Sequence, residues 1–253
     1  MTASTAEPIS ALAERIASVR DRIARAAERA GRDPAGITLV GISKRKPVEA
    51  IVAAVEAGLD HLGENYVQEA VAKRPAVRSA LEARGLPMPR WHFVGQLQRN
   101  KARDAVAHFD CIESVDRERL ARALDTRAAL GSARLSVLLQ VDLSGETGKG
   151  GAAPERIPEL LSACAALPHL SVDGLMAVPA PGPDPEASRP AFARLRELRE
   201  RLATDPGGTC LRELSMGMSA DFEIAVEEGA TLVRIGTAIF GPREARRGGP
   251  REP

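Results

Sequence analysis

Ile37-Thr38-Leu39-Val40-Gly41-Ile42-Ser43-Lys44-Arg45-Lys46-Pro47 is an apolar run that ends in two lysines and a proline. A short apolar run of this kind reads as a buried strand, here over about 37–43. Pro47 suits the first turn of a helix. Ile51, Val52 and Val55 then fall on one helical face, and Gly58 is placed to end it. The same unit repeats along the chain. Further strands are predicted near 61–66, 91–95, 111–115, 135–143, 170–178, 211–216 and 231–240. Helices are predicted from about 67 onward, then over about 101–109, 117–130, 154–167, 191–203 and 220–228. Upstream, Ile9, Leu12, Ile16, Val19 and Ile23 recur at steps of three and four, an amphipathic helix over about 9–30 closed by Gly31 and Pro34. Eight strands alternating with helices predict an α/β fold: a single (β/α)8 TIM-type barrel over about 35–243, with an additional N-terminal helix. A doubly wound sheet is the rival. No linker divides the chain, so one domain over 1–253 is expected. A Pro-rich loop is expected over 179–190 and a disordered tail over 245–253.

Composition narrows the function. Basic and acidic residues number 35 and 34, a net charge of +1, so no global field draws the chain to nucleic acid or to a membrane surface. Aromatics are 3% of the chain, too few to interleave with cations as a base-stacking platform. Cys111, Cys164 and Cys210 are far apart and form no CxxC, which points away from a disulfide framework or a zinc site and towards a reducing cytoplasm. No apolar run is long enough to span a bilayer, and no signal peptide is expected.

A barrel places its chemistry at the C-terminal ends of its strands. Lys44, Asn65, Gly95, Met176, Ser215 and Arg234 all fall at or near such ends. Lys44 and Lys46 compete as a reactive amine, and strand alternation puts both on one side. Otherwise they are two solvated lysines at a strand end. A nucleophilic lysine must be deprotonated, through burial or a nearby cation. Ser215-Met216-Gly217-Met218-Ser219 offers hydroxyls, a glycine and backbone N–H groups ahead of a helix, which is an anion cradle. The alternative is a ligand-free cap, with Ser219 as N-cap and Asp221 in the first turn. Gly236-Thr237 after the eighth strand favours the cradle, because barrel phosphate sites use the loops after strands seven and eight. Arg234, inside a buried strand, needs a partner: a carboxylate, an anion or a heteroaromatic nitrogen. Gly145-Glu146-Thr147-Gly148-Lys149-Gly150 fails as a Walker A loop, since Gly150 stands where Ser or Thr is required. His61, His92, His108 and His169 lack metal-ligand spacing, so no metal is expected; His92 reads as a core or rim histidine.

Six segments together resemble the pyridoxal phosphate homeostasis protein family, which is related to the N-terminal barrel of alanine racemase. They are residues 39–47, Gly63-Glu64-Asn65-Tyr66-Val67-Gln68-Glu69, Trp91-His92-Phe93-Val94-Gly95-Gln96-Leu97-Gln98-Arg99-Asn100-Lys101, Gly174-Leu175-Met176-Ala177-Val178-Pro179, residues 214–219, and residues 233–241. They occur in the family's order and extend the resemblance from 9 to about 243. The resemblance implies a fold-type III barrel that binds pyridoxal 5'-phosphate as a Schiff base. It selects Lys44, the first lysine of the Ser-Lys-x-Lys-Pro pattern, as the amine. It sets Arg234 against the pyridine nitrogen and Asn65 and Met176 along the ring. Ser215, Met216, Gly217, Met218 and Ser219, with Gly236 and Thr237, are left to hold the phosphate. The chain departs from the family pattern at Arg45, Gln96 and Arg99.

Carrier and enzyme remain to be separated. An arginine facing the pyridine nitrogen disfavours protonation of that nitrogen and weakens the ring as an electron sink. A two-base racemase also needs a base opposite the lysine, which alanine racemases take from a further domain; Tyr66 is the single tyrosine here. The expectation is a cytoplasmic, monomeric carrier with no catalytic residue, serving intracellular pyridoxal phosphate homeostasis and delivery to apoenzymes that depend on the cofactor. The alternatives are a racemase using water or His92 as second base, and a Schiff-base aldolase holding a sugar phosphate. Roles for Lys46 and Lys149 in release stay open.

Overall fold

The computed structural model describes residues 9–131, 134–144, 150–180, 184–204 and 211–242. Lys149, Cys210 and the predicted tail lie outside them, as do 145–149 and part of the 179–190 loop. Eight parallel strands close into a barrel in sequence order: β1 (Thr38–Ile42), β2 (His61–Glu64), β3 (Arg90–Phe93), β4 (Cys111–Val115), β5 (Leu135–Val141), β6 (Leu170–Ala177), β7 (Glu213–Ser215) and β8 (Leu232–Ile235). The closure of β8 onto β1, with Val40 opposite Arg234, excludes the doubly wound rival.

The helices between strands are α2 (Val48–Glu56), α3 (Val67–Glu82), α4 (Ala102–His108), α5 (Glu118–Ala128), α6 (Ile157–Ala165), α7 (Arg189–Leu202) and α8 (Phe222–Glu227). They follow α1 (Ile9–Arg29) and precede α9 (Thr237–Phe240). The additional helix forms as its spacing predicts. Leu12, Ile16, Val19 and Ile23 are buried along one stripe of α1, and Gly31 ends it at φ 66°. That stripe packs on α8, α9 and α2. Around it Arg32 donates to the carbonyls of Val226 and Ala230 at 2.5 and 2.8 Å, and Arg22 stacks 4.5 Å over Phe222. The helix therefore braces the two short helices that follow β7 and β8.

One expected element is wrong in kind. The last strand stops at Ile235, and 237–240 is helical instead of extended. Gly236 turns the backbone, with ψ at −78°, and its carbonyl accepts from Ile239 and Phe240. A run of apolar residues cannot by itself tell a buried strand from a buried helical turn.

The apolar core lies between the strands and the helices, with Trp91, Phe93, Phe192 and Phe222 as its largest members. The barrel lumen is different. Apolar Val40, Leu138, Met176 and Leu232 share it with His92, Glu113, Ser215 and Arg234, all of them buried. Barrel lumens are ordinarily filled by branched apolar side chains.

Candidate functional site

Lys44 stands two residues beyond the strand end at Ile42, in a turn closed by the Lys46 N–H donating to the Ser43 carbonyl at 3.0 Å. The strand has already ended, so alternation does not govern Lys44 and Lys46 as expected. Arg45 adopts φ 59°, a left-handed conformation that a non-glycine residue enters only when its surroundings impose it. Glu69 on α3 imposes it by accepting from the Arg45 N–H. From the same helix Lys73 donates to the Ser43 carbonyl at 2.8 Å and pairs with Glu64 at 2.5 Å and Glu69 at 3.0 Å. Ser43 Oγ donates to the same Glu64 oxygen at 2.5 Å. Burial pushes the Glu64 carboxyl up from its ordinary range, against the pull of the Lys73 ammonium. A buried ion pair thus clamps the turn that carries Lys44. Lys46 is engaged elsewhere: its ammonium donates to the carbonyl of Phe240, the last residue of α9, at 2.6 Å.

The two loops expected to cradle an anion meet at the neighbouring strand ends. Ser219 Oγ accepts from the N–H of Gly236 at 3.2 Å and of Ala238 at 3.4 Å. Those are long bonds, and both N–H groups point at one oxygen, as a phosphate oxygen would require. Ser219 is not the helix cap. Asp221 holds that position, and its carboxylate accepts from the Met218 N–H at 2.7 Å and from Ser188 Oγ at 2.9 Å. Gly217 sits at φ 90°, and a Cβ there would fall 2.5 Å from the Ala225 methyl and 2.9 Å from Phe222 Cα. Gly217→Ala is therefore expected to cost roughly 1–3 kcal/mol in urea unfolding and to weaken phosphate binding. A variant as stable as the parent would disprove the steric account.

Two of the expected cradle residues have other employment. Met216 is buried in the main apolar core, and its N–H goes to the Leu232 carbonyl at 3.1 Å. It supports the loop from behind and presents no side chain to a ligand. Ser215 lies inside the lumen, where its hydroxyl donates to Glu113 Oε2 at 2.5 Å and accepts from Arg234 at 2.5 Å. Its hydroxyl thus belongs to Arg234 and not to the loop of Ser219. Two serines in one loop motif look alike in sequence, whereas strand direction decides which one faces the lumen.

Arg234 meets the alternatives left open for it in an unexpected way. One arm rests on Ser215, the other donates to the Ala177 carbonyl at 2.8 Å, and the Glu113 carboxylate lies 3.9 Å away. Glu113 also accepts from His92 at 2.7 Å, and His92 meets His61 at 2.9 Å. Desolvation acts to raise the Glu113 carboxyl, but the hydrogen bond and charge of His92, the Arg234 guanidinium and Ser215 outweigh it and hold it below the usual range. Met176 is fully buried beside Cys111 and Leu138, opposite Ser215 in register, and floors the site. His92, Cys111 and Glu113 bring ligand atoms within 4.8 Å of one another. A cation would have to displace the bonds of His92 and Glu113, face the guanidinium, and deprotonate a thiol that burial pushes up.

Asn65 follows β2 and borders a cavity of about 420 Å³ with Tyr66, Gly95, Gln96 and Lys101. Its Oδ1 is buried without a hydrogen-bond partner among the described residues, an acceptor awaiting a donor. Glu64, Glu69, Lys73 and Glu113 were not among the expected site residues. Lys73 stands in the buried stripe Val67, Ala70, Lys73, Val77, Leu81 of α3, and Glu113 interrupts an apolar strand. A charge at a core-facing position was the available signal.

Residues 15–244 match the family described as "Alanine racemase, N-terminal domain". A pyridoxal phosphate homeostasis protein of Pseudomonas aeruginosa is 48% identical over 236 residues, covering 93% of this chain and 97% of that one. The chain belongs to the pyridoxal phosphate homeostasis protein family. The family member of Escherichia coli K12 is 42% identical over 224 residues, 87% of this chain and 91% of that one. PipY of Synechococcus elongatus, in a structure with pyridoxal phosphate bound, superposes with a TM-score of 0.78 at 38% identity, covering 91% of this chain and 100% of PipY. Alanine racemase of Bacillus anthracis reaches a TM-score of 0.60 at 15% identity over 90% of this chain and 56% of its own, a likeness of fold alone. Of the residues expected to depart from the family pattern, Arg45 is the left-handed turn residue, and Arg99 is exposed in the 3-10 turn before α4.

Proposed function

We propose that this protein holds pyridoxal 5'-phosphate on Lys44 and serves pyridoxal phosphate homeostasis and delivery without robust catalysis. The observation that carries the proposal is the adjacency of β1 and β8. Val40 opposite Arg234 and Gly41 opposite Ile235 bring the Lys44 turn beside the Gly236-Thr237 loop at one end of the barrel. The residues fit the cofactor. Ser219, Gly236 and Thr237, on the frame that Gly217 and Met218 build, take the phosphate. Arg234 takes the pyridine nitrogen above Met176, and the orphaned Asn65 oxygen takes a polar edge of the ring. The bound cofactor supplies an aldehyde. The Lys44 amine would hold that aldehyde covalently, with water as the leaving group. The clamp of Lys73, Glu64 and Glu69 orients the turn that carries Lys44.

Non-catalytic use follows from Arg234. An arginine keeps its proton, so the ring nitrogen it faces stays an acceptor and the ring stays a poor electron sink. His92, the residue considered as a second base, is 3% exposed and bonded on both ring nitrogens within the lumen. The recipients are apoenzymes that depend on the cofactor, and the carrier is a cytoplasmic monomer. In support, the large apolar side chains exposed among the described residues, Ile9, Tyr66 and Leu130, are scattered over separate elements. No helix among them is long and apolar enough to cross a membrane. Incubating the loaded protein with L-alanine and other amino acids tests the carrier role. No sustained conversion is expected, and steady racemisation or cleavage would replace the carrier with an enzyme.

A further inference from the structure

We propose that Glu113 and Ser215 are positioning residues that aim Arg234 at the cofactor ring, as the inner part of a hydrogen-bonded chain strung across the barrel lumen. The proposal rests on the assignment of Arg234 to the pyridine nitrogen. The chain takes one side chain from each of five strands. His61 on β2 meets His92 on β3 at 2.9 Å, His92 meets Glu113 on β4 at 2.7 Å, and Ser215 on β7 donates to Glu113 at 2.5 Å. Arg234 on β8 then donates to Ser215 at 2.5 Å. Glu113 and Ser215 are 0% exposed, His92 3% and Arg234 4%.

The chain has a direction. Glu113 is an acceptor at both oxygens, so it takes the single hydroxyl proton of Ser215. Ser215 is then obliged to act as an acceptor towards Arg234. With one arm fixed by Ser215 and the other by the Ala177 carbonyl, the planar guanidinium has one orientation, and its further donors remain for a ligand. Stability alone does not account for the arrangement, because buried charges are often no better than well-packed apolar groups of the same volume. A rigid, correctly turned donor beneath a ligand is what such a chain supplies that branched apolar side chains cannot.

Two substitutions break the chain without emptying the lumen. Glu113→Gln keeps the shape but offers one acceptor where His92 and Ser215 need two. Ser215→Ala removes the link to Arg234 directly. Cys111→Ala is the control: Cys111 neighbours Glu113 in the lumen, and its thiol bonds Ser136 rather than the chain. Each protein, checked by circular dichroism, is titrated with pyridoxal phosphate by absorbance, and inorganic phosphate is used as competitor. Glu113→Gln and Ser215→Ala are each expected to weaken cofactor binding about tenfold and to shift the absorbance band of the bound cofactor. Competition by inorganic phosphate should stay as in the parent, and Cys111→Ala should bind as the parent does. Parental affinity and spectrum in the folded variants would overturn the proposal. So would an equal loss in Cys111→Ala, which would make the effect one of packing, or an equal loss for inorganic phosphate, which would return Ser215 to the phosphate. If Glu113→Gln does not fold, Ser215→Ala decides. A parent protein that takes up no cofactor, or a Lys44→Ala variant that binds it unchanged, would instead refute the site assignment on which the proposal stands.

Discussion

Lys44→Ala is expected to abolish the absorbance band of the bound cofactor and the mass increase left by borohydride reduction, while the protein stays folded. Lys44 is the amine assigned to the aldehyde; the Lys46 ammonium, two residues on, donates to the Phe240 carbonyl at 2.6 Å. What remains in the variant is the non-covalent grip of Arg234 and the Ser219 loop. Loss of the covalent bond should lower affinity about a hundredfold, two decades on the scale where each decade is about 1.4 kcal/mol. Lys44 is half-buried on a turn outside the strand, so its truncation should move stability by less than about 1 kcal/mol. Lys46→Ala should keep the band. A borohydride-fixed mass on a peptide that lacks Lys44 would end the assignment.

Lys73→Met should be the most damaging single change to the fold near the site. It leaves Glu64, 0% exposed, with no cation against one oxygen and, among the described residues, no hydrogen-bond partner at the other. Breaking a buried pair in this way costs about 3–5 kcal/mol, much more than such a pair contributes as a whole. The deficit should depend on pH in a stated direction. Burial already raises the Glu64 carboxyl above its ordinary value of 4.5, and removing Lys73 takes away the main influence that lowers it. A carboxyl raised in the folded state costs stability as pH climbs from its unfolded value towards its folded one, so the deficit is larger at neutral pH and shrinks on acidification. Glu64→Gln added to Lys73→Met should recover a large part of the loss. Urea unfolding at neutral and acid pH measures both effects. A single variant within 1 kcal/mol of the parent at neutral pH would show that the clamp does not hold the turn.

The order of elements was legible because each strand is a short apolar run and each helix a periodic one. The N-terminal helix was legible for the same reason, from Leu12 to Ile23. The last strand was overdrawn, because Ile239 and Phe240 are buried whether the chain is extended or helical. At the site, Lys44 and Arg234 announced themselves as charges in apolar company. Lys73 and Glu113 carried the same signal less visibly, one inside a helix with charged neighbours and the other in a strand without a motif. The difference between Ser215 and Ser219 was not legible from the segment itself. One hydroxyl faces the lumen and the other bridges two loops, and only the register of β7 against β6 and β8 separates them.

The join of β1 and β8 has a mechanical consequence. It is where the first and last staves of the barrel meet, and α1 straps the outside of the same region by lying on α2, α8 and α9. On the proposed assignment, a ligand bonded to Lys44 beyond one stave and gripped through its phosphate at Gly236 beyond the other would be a removable rivet across that join. Loading would then fasten the ring of the barrel, and unloading would leave the join to its backbone hydrogen bonds, the Lys46–Phe240 contact and the outer strap. The cargo of the proposed carrier would then also be a structural part, present or absent with each round of delivery.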